Sequence, residues 1–270
     1  MRKVKKLLKI SAVSFVLLCI LTVLFSIYAI NKPGIIILMY HKIGVPKPHA
    51  RIKGLYVEPK TFEKHIKLLK KLGYSFITYH DYINHAHNTA YFKKKIMITL
   101  DDGYEDNYTN LFPILKKHKV PAHIFMITGA IGKKNFTEGG WDREKVEEDM
   151  LTETQIIEMN KSGLVFFGSH CVDHKPITVF TDEERLIQLV ESKKRLETLL
   201  STPIDMFAFP IGVFNNKALE DVKKSGYSIS FTTDEGRNYP ETDRYQLKRI
   251  GIAGWFSQLD VVKKIVVSAF

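Results

Sequence analysis

The stretch KIMITLDDGYEDN, residues 95–107, places two adjacent carboxylates directly after a run of apolar residues. The run Ile96–Leu100 is continuous rather than alternating, which is typical of a β-strand that is covered on both faces, as in a parallel sheet. Asp101 and Asp102 carry like charges at the end of this strand, and each carboxylate costs free energy if it has to leave water. An explanation of this stretch therefore has to account for both the buried strand and the repelling pair.

Strand-like and helical patterns alternate along the rest of the chain. Apolar runs predict eight strands, at residues 34–40, 74–78, 95–100, 122–127, 164–169, 206–210, 228–233 and 247–252. Amphipathic patterns predict helices at residues 59–72, 105–118, 152–162, 182–200, 215–225 and 257–267. This alternation predicts an α/β fold in the form of a (β/α) barrel, distorted and with seven or eight strands. An open doubly wound sheet is the alternative, although no glycine-rich phosphate loop follows any strand.

The amino-terminal segment has a composition different from the rest. Residues 1–9 carry five Lys or Arg and no acid, and residues 10–30 are 21 residues without a charge. Such a stretch is long enough to cross the bilayer core of about 30 Å. We expect residues 1–30 to form a cytoplasmic basic flank and one transmembrane helix, and residues 31–270 to form an extracellular domain. The alternative is a cleaved signal peptide and a secreted protein.

The net charge of +11 does not indicate a nucleic-acid partner. The basic flank contributes five of these charges, and the remaining excess is spread over predicted helices, where it is typical of solvated helix faces. An anionic surface of the cell envelope is the alternative partner of this charge. A domain outside the membrane is also remote from nucleic acid.

Polar residues that can bind a metal or transfer a proton follow three of the predicted strands. His41 follows the first strand, Asp101 and Asp102 follow the third, and His170 and His174 follow the fifth. In a barrel these positions converge on the carboxyl-terminal rim, where catalytic loops lie. Two neutral imidazoles and one carboxylate can hold a divalent metal with open coordination positions. The second carboxylate is then available for proton transfer.

A metal would also explain the acidic pair. If Asp102 binds a cation, its charge is neutralised locally and Asp101 lies in a positive field. Asp101 can then act as a general base toward a water on the metal. Zn²⁺ fits this ligand set best, and Co²⁺, Mn²⁺ or Ni²⁺ can occupy the same ligands.

Three motifs resemble those of the polysaccharide deacetylases, the NodB-homology or carbohydrate esterase 4 family. TLDDG at 99–103 resembles the family's T-F-D-D-G motif, and SHCVDH at 169–174 resembles its His-Ser/Thr-x-x-His motif. FAFPIG at 207–212 resembles the third motif, usually Arg-x-Pro-x-Gly. The resemblance implies a NodB-homology barrel and a hydrolase of non-peptide carbon–nitrogen bonds. In the implied reaction a metal-bound water attacks the acetamide of an N-acetylglucosamine-containing polysaccharide.

The resemblance also implies a role for each matching residue. Asp101 is implied to be the base, and the implied metal ligands are Asp102, His170 and His174. The backbone N–H of Ile211, in the Pro-x-Gly turn, is implied to help hold the oxyanion of the tetrahedral intermediate.

The chain departs from the family pattern at three places. Cys171 stands between the ligand histidines in place of Ser or Thr, which implies the loss of one hydrogen bond around the site. Phe207 or Ala208 stands where the third motif has Arg, so another residue has to orient Asp101, and Arg249 near the end of the last strand is the candidate.

The third departure is that no histidine follows His174, although most family members take the catalytic acid from a carboxyl-terminal histidine. His41, in LMYHKI, follows the strand that neighbours the last one in a closed barrel, and we expect it to be the acid. This arrangement is similar to that of the poly-β-1,6-N-acetylglucosamine deacetylases of biofilm exopolysaccharide systems, where an M-Y-H segment supplies the acid.

Other substrates and one other class of function stay open. Peptidoglycan, chitin and O-acetylated xylan are alternative substrates. A non-catalytic carbohydrate-binding relative is the alternative class, although the base, the ligands and the acid are all present. Trp141 lies in a glycine-containing loop and is a candidate for stacking on a sugar ring, whereas Trp255 is expected to pack inside the domain.

Overall fold

The structure is a computed structural model that describes the backbone of residues 2–48, 50, 52–134, 136 and 148–269. The first helix, α1 (Arg2–Asn31), contains an 18-residue window with a mean hydropathy of 2.2, Ser14–Asn31. By length and composition this helix can cross a membrane, as an anchor or as a signal sequence. Large apolar side chains on it are exposed, including Phe15 and Leu18.

Within the described residues, eight parallel strands form one curled sheet. The strands are β1 (Ile36–Tyr40), β2 (Ser75–Phe76), β3 (Lys95–Leu100), β4 (Ala122–Met126), β5 (Val165–Ser169), β6 (Met206–Ala208), β7 (Ile229–Phe231) and β8 (Ile250–Gly251). Their order is β7-β6-β5-β4-β3-β1-β8, and β2 pairs with the amino-terminal part of β3. The segment that leads into β8 pairs with β7 through Leu247 and Phe231, so the sheet closes on itself. The prediction of a distorted (β/α) barrel is confirmed.

Seven α-helices follow α1 in the part of the chain that the structure describes. They are α2 (Pro59–Lys71), α3 (Tyr79–His85), α4 (Phe112–His118), α5 (Glu153–Lys161), α6 (Asp182–Leu200), α7 (Asn216–Lys224) and α8 (Gln258–Val267). A π-helical turn, Asn107–Leu111, precedes α4 inside the predicted helix 105–118. Helix α3 was not predicted because seven residues rich in aromatic and polar side chains give no clear amphipathic period. A capping box between Thr78 and Asp81 starts it.

The core explains why the strand sequences are continuously apolar. In β3, Ile96 and Ile98 pack in the larger cluster between sheet and helices, whereas Met97 packs in a second cluster. Phe125 of β4 and Phe231 of β7 belong to that second cluster, and their ring centroids lie 5.0 Å apart although their strands are not neighbours. The second cluster therefore fills the barrel interior, and both faces of β3 and β4 are buried.

Candidate metal centre and active site

Asp102, His170 and His174 lie together where β3 and β5 end. The Nε2 atoms of His174 and His170 lie 3.3 Å and 3.6 Å from Asp102 Oδ1. One ligand atom from each of the three side chains lies within 4.8 Å of the others. Barrel topology thus brings together residues that are about seventy positions apart in the sequence.

The backbone turns sharply where each of these strands ends. Asp102 has φ 75° and Cys171 has φ 65°, both in the left-handed region. Aspartate is one of the few residues that enter this region at small cost, because its side chain can hydrogen-bond locally. The turn separates the adjacent carboxylates, since Asp101 contacts Arg249 while Asp102 faces the two histidines.

The His170 ring is held in the tautomer that suits a metal ligand. Its Nδ1–H donates to the carbonyl oxygen of Ala208, at 2.7 Å, which leaves Nε2 unprotonated toward Asp102. Burial lowers the pKa of His170 to about 3, because a desolvated ring resists taking a charge. Ala208 contributes only its carbonyl group, so no side-chain signal in the sequence pointed to this contact.

Asp101 is paired with a buried arginine. Arg249 Nη1 lies 2.6 Å from Asp101 Oδ1, and Arg249 Nη2 lies 2.8 Å from Oδ2, so the pair is bidentate. Arg249 is fully buried, and its Nε donates to the carbonyl oxygen of Thr232. Burial by itself raises the pKa of Asp101, but the guanidinium outweighs it and holds this pKa well below the ordinary value. Asp101 is therefore ionised at neutral pH.

His41 lies at the same rim. It follows β1, which pairs with β8 on one side and β3 on the other, and its Nε2 is 4.0 Å from Asp101 Oδ2. Its side chain keeps 21% of its surface exposed. The buried Asn107 donates from Nδ2 to the carbonyl oxygen of His41, at 3.0 Å, and so holds the loop that carries the ring. Sequence reasoning missed Asn107, although it is the last residue of the opening stretch.

Ile211 lies in a tight turn after β6. Its backbone is left-handed, with φ 59°, and Gly212 follows with φ 74°. A Cβ at Gly212 would lie 1.8 Å from Thr233 Oγ1, so only glycine fits there. The Ile211 side chain is 44% exposed, which leaves the turn at the surface of the rim.

The sequence contains two tryptophans, at positions 141 and 255. Trp141 lies outside the described residues. Trp255 is 71% exposed, so the prediction that it packs inside the domain is wrong.

Comparisons with known proteins relate this chain to one family. Residues 89–230 match the family model described as polysaccharide deacetylase. The poly-β-1,6-N-acetyl-D-glucosamine N-deacetylase of Staphylococcus aureus is 31% identical over 210 residues, which cover 75% of this chain and 69% of the relative. The match to the family model spans more than half of the chain.

The chain belongs to the polysaccharide deacetylase family. It is accordingly a hydrolase of carbon–nitrogen bonds. Among solved structures, IcaB from Ammonifex degensii has a TM-score of 0.74 and 25% identity, covering 88% of this chain and 97% of that one. The Streptococcus pyogenes deacetylase PplD, in complex with acetate, has a TM-score of 0.73 and 28% identity, covering 86% and 99%.

The Asp101–Arg249 pair predicts a specific pattern of stability in this polysaccharide deacetylase. Arg249→Met leaves a buried carboxylate without its partner, and we expect the free energy of unfolding to fall by about 3–5 kcal/mol. Asp101→Asn in the same chain removes the stranded charge and should restore part of that loss. The measurement is denaturant unfolding followed by circular dichroism.

Arg244→Met is the matched control, because Arg244 is exposed and should change stability by about 0.5 kcal/mol or less. Equal stability of Arg249→Met and the control would contradict the buried pair. So would a double variant that is less stable than Arg249→Met alone.

Proposed function

We propose that this chain is a metal-dependent deacetylase that removes N-acetyl groups from poly-β-1,6-N-acetylglucosamine, an exopolysaccharide of biofilms. The observation that carries the proposal is the joint placement of His41, an Arg249-held Asp101 and the Asp102 cluster on one rim. The Staphylococcus aureus relative with this activity in its name supports the choice of polymer. In this proposal the acid, the base and the metal ligands are used in catalysis, whereas a non-catalytic carbohydrate-binding relative would not use them.

The donor set of Asp102, His170 and His174 fits a divalent metal, most simply Zn²⁺. One carboxylate and two imidazole nitrogens are ligands that Zn²⁺ prefers, and Co²⁺, Mn²⁺ and Ni²⁺ accept them too. The Ala208 contact turns His170 Nε2 toward the other ligands, and burial keeps this ring neutral. When bound, the metal would act as a Lewis acid that polarises the acetamide carbonyl and makes water more acidic.

The chain's own groups then handle the protons. The Asp101 carboxylate accepts a proton from the attacking water, whose oxygen forms a bond to the acetamide carbon. The backbone N–H of Ile211 donates to the developing oxyanion. His41 gives a proton to the sugar nitrogen as the carbon–nitrogen bond breaks, so the products are a free amine on the sugar and acetate.

The amino-terminal helix suits an anchor of a membrane protein. Residues 1–30 are proposed to be the cytoplasmic flank and membrane span, and residues 31–270 the catalytic domain outside the cell. Because β1 begins at Ile36, shortly after α1 ends at Asn31, the amino ends of the strands face the membrane. The catalytic rim at their carboxyl ends then faces away from it, toward a polymer in the cell envelope.

Loss of a ligand should lower the metal content. We expect His174→Ala, expressed as the full chain and purified in detergent, to bind substoichiometric Zn²⁺ by elemental analysis, because one of three donors is gone. His118→Ala is the control, since His118 pairs with Glu63 away from the cluster. Undiminished metal in His174→Ala would refute the ligand assignment.

Two substrates should distinguish the role of the base from that of the acid. We expect Asp101→Asn to lose about 10²-fold or more in kcat on N-acetylglucosamine oligomers while it still holds metal. His41→Ala should slow acetate release from the same amide but spare 4-nitrophenyl acetate, because a phenolate leaves without a proton. His80→Ala, an exposed histidine elsewhere, is the control for both assays.

The substrate assay decides between polymers and between classes of function. Full-length protein with Zn²⁺ or Co²⁺ is mixed with β-1,6-linked N-acetylglucosamine oligomers, chitin oligomers, peptidoglycan or O-acetylated xylan, and mass spectrometry detects loss of acetyl groups. We expect loss from the β-1,6-linked oligomers first. Turnover of another polymer alone would overturn the proposed substrate, and binding without any turnover would favour the non-catalytic alternative.

A further inference from the structure

Trp255 is an exposed aromatic residue on the catalytic rim. It lies four residues beyond Gly251, which pairs with Met39 of β1, and His41 lies two residues beyond Met39. Residues that follow parallel strands emerge at the carboxyl end of a barrel, so Trp255 and His41 lie on neighbouring loops of one face. The Trp255 side chain keeps 71% of its surface exposed.

Gly54 and Gly254 let the Trp255 loop pack closely against residues 53–56, and this packing forms a seat for the indole at Gly54. A Cβ added at Gly54 would lie 2.8 Å from the Trp255 ring, so any other residue at that position would displace it. A Cβ added at Gly254 would lie 1.9 Å from the carbonyl oxygen of Tyr56, and the Gly254 N–H donates to the Gly54 carbonyl at 2.8 Å. Isolated exposed apolar side chains are common on protein surfaces, but they do not require such a seat.

The seat is connected to the loop that carries His41. Lys42 donates its backbone N–H to the carbonyl oxygen of Leu55 and accepts at its own carbonyl from Val57, so the two segments run side by side. With about 3.8 Å between successive Cα atoms and about 4.8 Å between paired segments, Gly54 lies within about 16 Å of His41. A few sugar units of an extended glycan span that distance.

A membrane contact does not account for this residue in the proposed topology. With α1 as the anchor, the amino ends of the strands lie nearest the membrane because α1 directly precedes β1, and Trp255 follows the carboxyl end of β8. The six-membered ring of the indole lies against Gly54, and 71% of the residue's surface remains open to solvent. A flat aromatic surface held in this way suits the apolar face of a pyranose ring.

We infer that Trp255, seated on Gly54, is a sugar-binding subsite that stacks on a pyranose ring a few units along the polysaccharide from the N-acetyl group being removed. This inference rests on the proposed function for the position of the reacting sugar. The subsite adds affinity for long chains and takes no part in the proton transfers.

The test compares glycans of different lengths. Full-length wild type, Trp255→Ala and Trp255→Tyr are stripped of metal by a chelator, and their Kd values for a disaccharide and a hexasaccharide of β-1,6-linked N-acetylglucosamine are measured by calorimetry. We expect Trp255→Ala to raise the Kd for the hexasaccharide about three- to tenfold and to leave that for the disaccharide unchanged. Trp255→Tyr should stay within about twofold of wild type because it keeps an aromatic face.

Leu259→Ala is the matched control, because Leu259 is also 71% exposed and lies in the first turn of α8. With metal restored, Trp255→Ala should raise KM for the hexasaccharide and leave kcat within about twofold, since uniform binding is lost. Gel filtration of each variant tests a second copy of the chain as the occupant, and loss of a dimer in Trp255→Ala would overturn the subsite.

The remaining outcomes separate the two proposals, with chitin and peptidoglycan oligomers as further ligands. Turnover with equal hexasaccharide Kd values for wild type and Trp255→Ala overturns the subsite and leaves the proposed function. Trp255-dependent binding without acetate release overturns the proposed function and leaves the subsite. Failure of the wild type to bind any of these glycans overturns both.

Discussion

The ion pair between Arg249 and Asp101 is the interaction on which the geometry of the site depends. Arg249 lies next to β8 and Asp101 follows β3, and β1 lies between those two strands in the sheet. The bidentate contact therefore links both neighbours of the strand that carries His41. Because a buried charge without a partner is costly, neither side chain can leave the other without destabilising the barrel. Asp101, the proposed base, is thus held by the same contact that helps to close the fold.

This pair also shows how one physical requirement can be met from different places in a sequence. The family's third motif usually contains an arginine, whereas this chain has Phe207 and Ala208 there, both buried as apolar residues. The ionised carboxylate of Asp101 still needs a guanidinium, and the last strand of a closed barrel ends close enough to supply it. The pairing with Asp101 requires a guanidinium at the right place in the fold, and not at a particular place in the motif.

Much of the fold could be predicted from local patterns, because a strand covered on both faces is continuously apolar. All eight predicted strands are present, with ends shifted by a few residues, and the barrel follows from their alternation with helices. Helix α3 was not predicted, because its start is marked by a capping box of two side chains and its sequence shows no clear amphipathic period. The exposure of Trp255 was not predicted either. The indole lies against Gly54, two hundred residues away in the sequence, and no local pattern indicates that contact.

The candidate site likewise contains residues that could be predicted from the sequence and contacts that could not. Asp101, Asp102, His170 and His174 could be proposed from residue type and strand ends, since metal ligands and proton acceptors belong to few residue types. The contacts of Asn107 and Ala208 could not be predicted, because each involves a backbone carbonyl group. Asn107 donates to the carbonyl oxygen of His41, and Ala208 offers its own carbonyl oxygen to His170. Their contacts fix the His41 loop and the His170 tautomer, so they depend on the folded backbone.

The adjacent carboxylates that open the motif are tolerated because the backbone sends them to different partners. The left-handed conformation of Asp102 turns its side chain toward the imidazole rings of His170 and His174, while Asp101 remains in line with the strand and reaches a fixed positive charge. Each carboxylate then lies in an environment that stabilises its ionised form, one by a guanidinium and the other, in the proposed enzyme, by a metal. Repulsion between neighbours in the sequence is thereby replaced by two separate attractions, and the unequal partners give the two residues unequal roles. The separation of the two carboxylates therefore depends on the backbone conformation at position 102 as well as on the carboxylate there. A residue type that disfavours the left-handed region at this position would remove that separation.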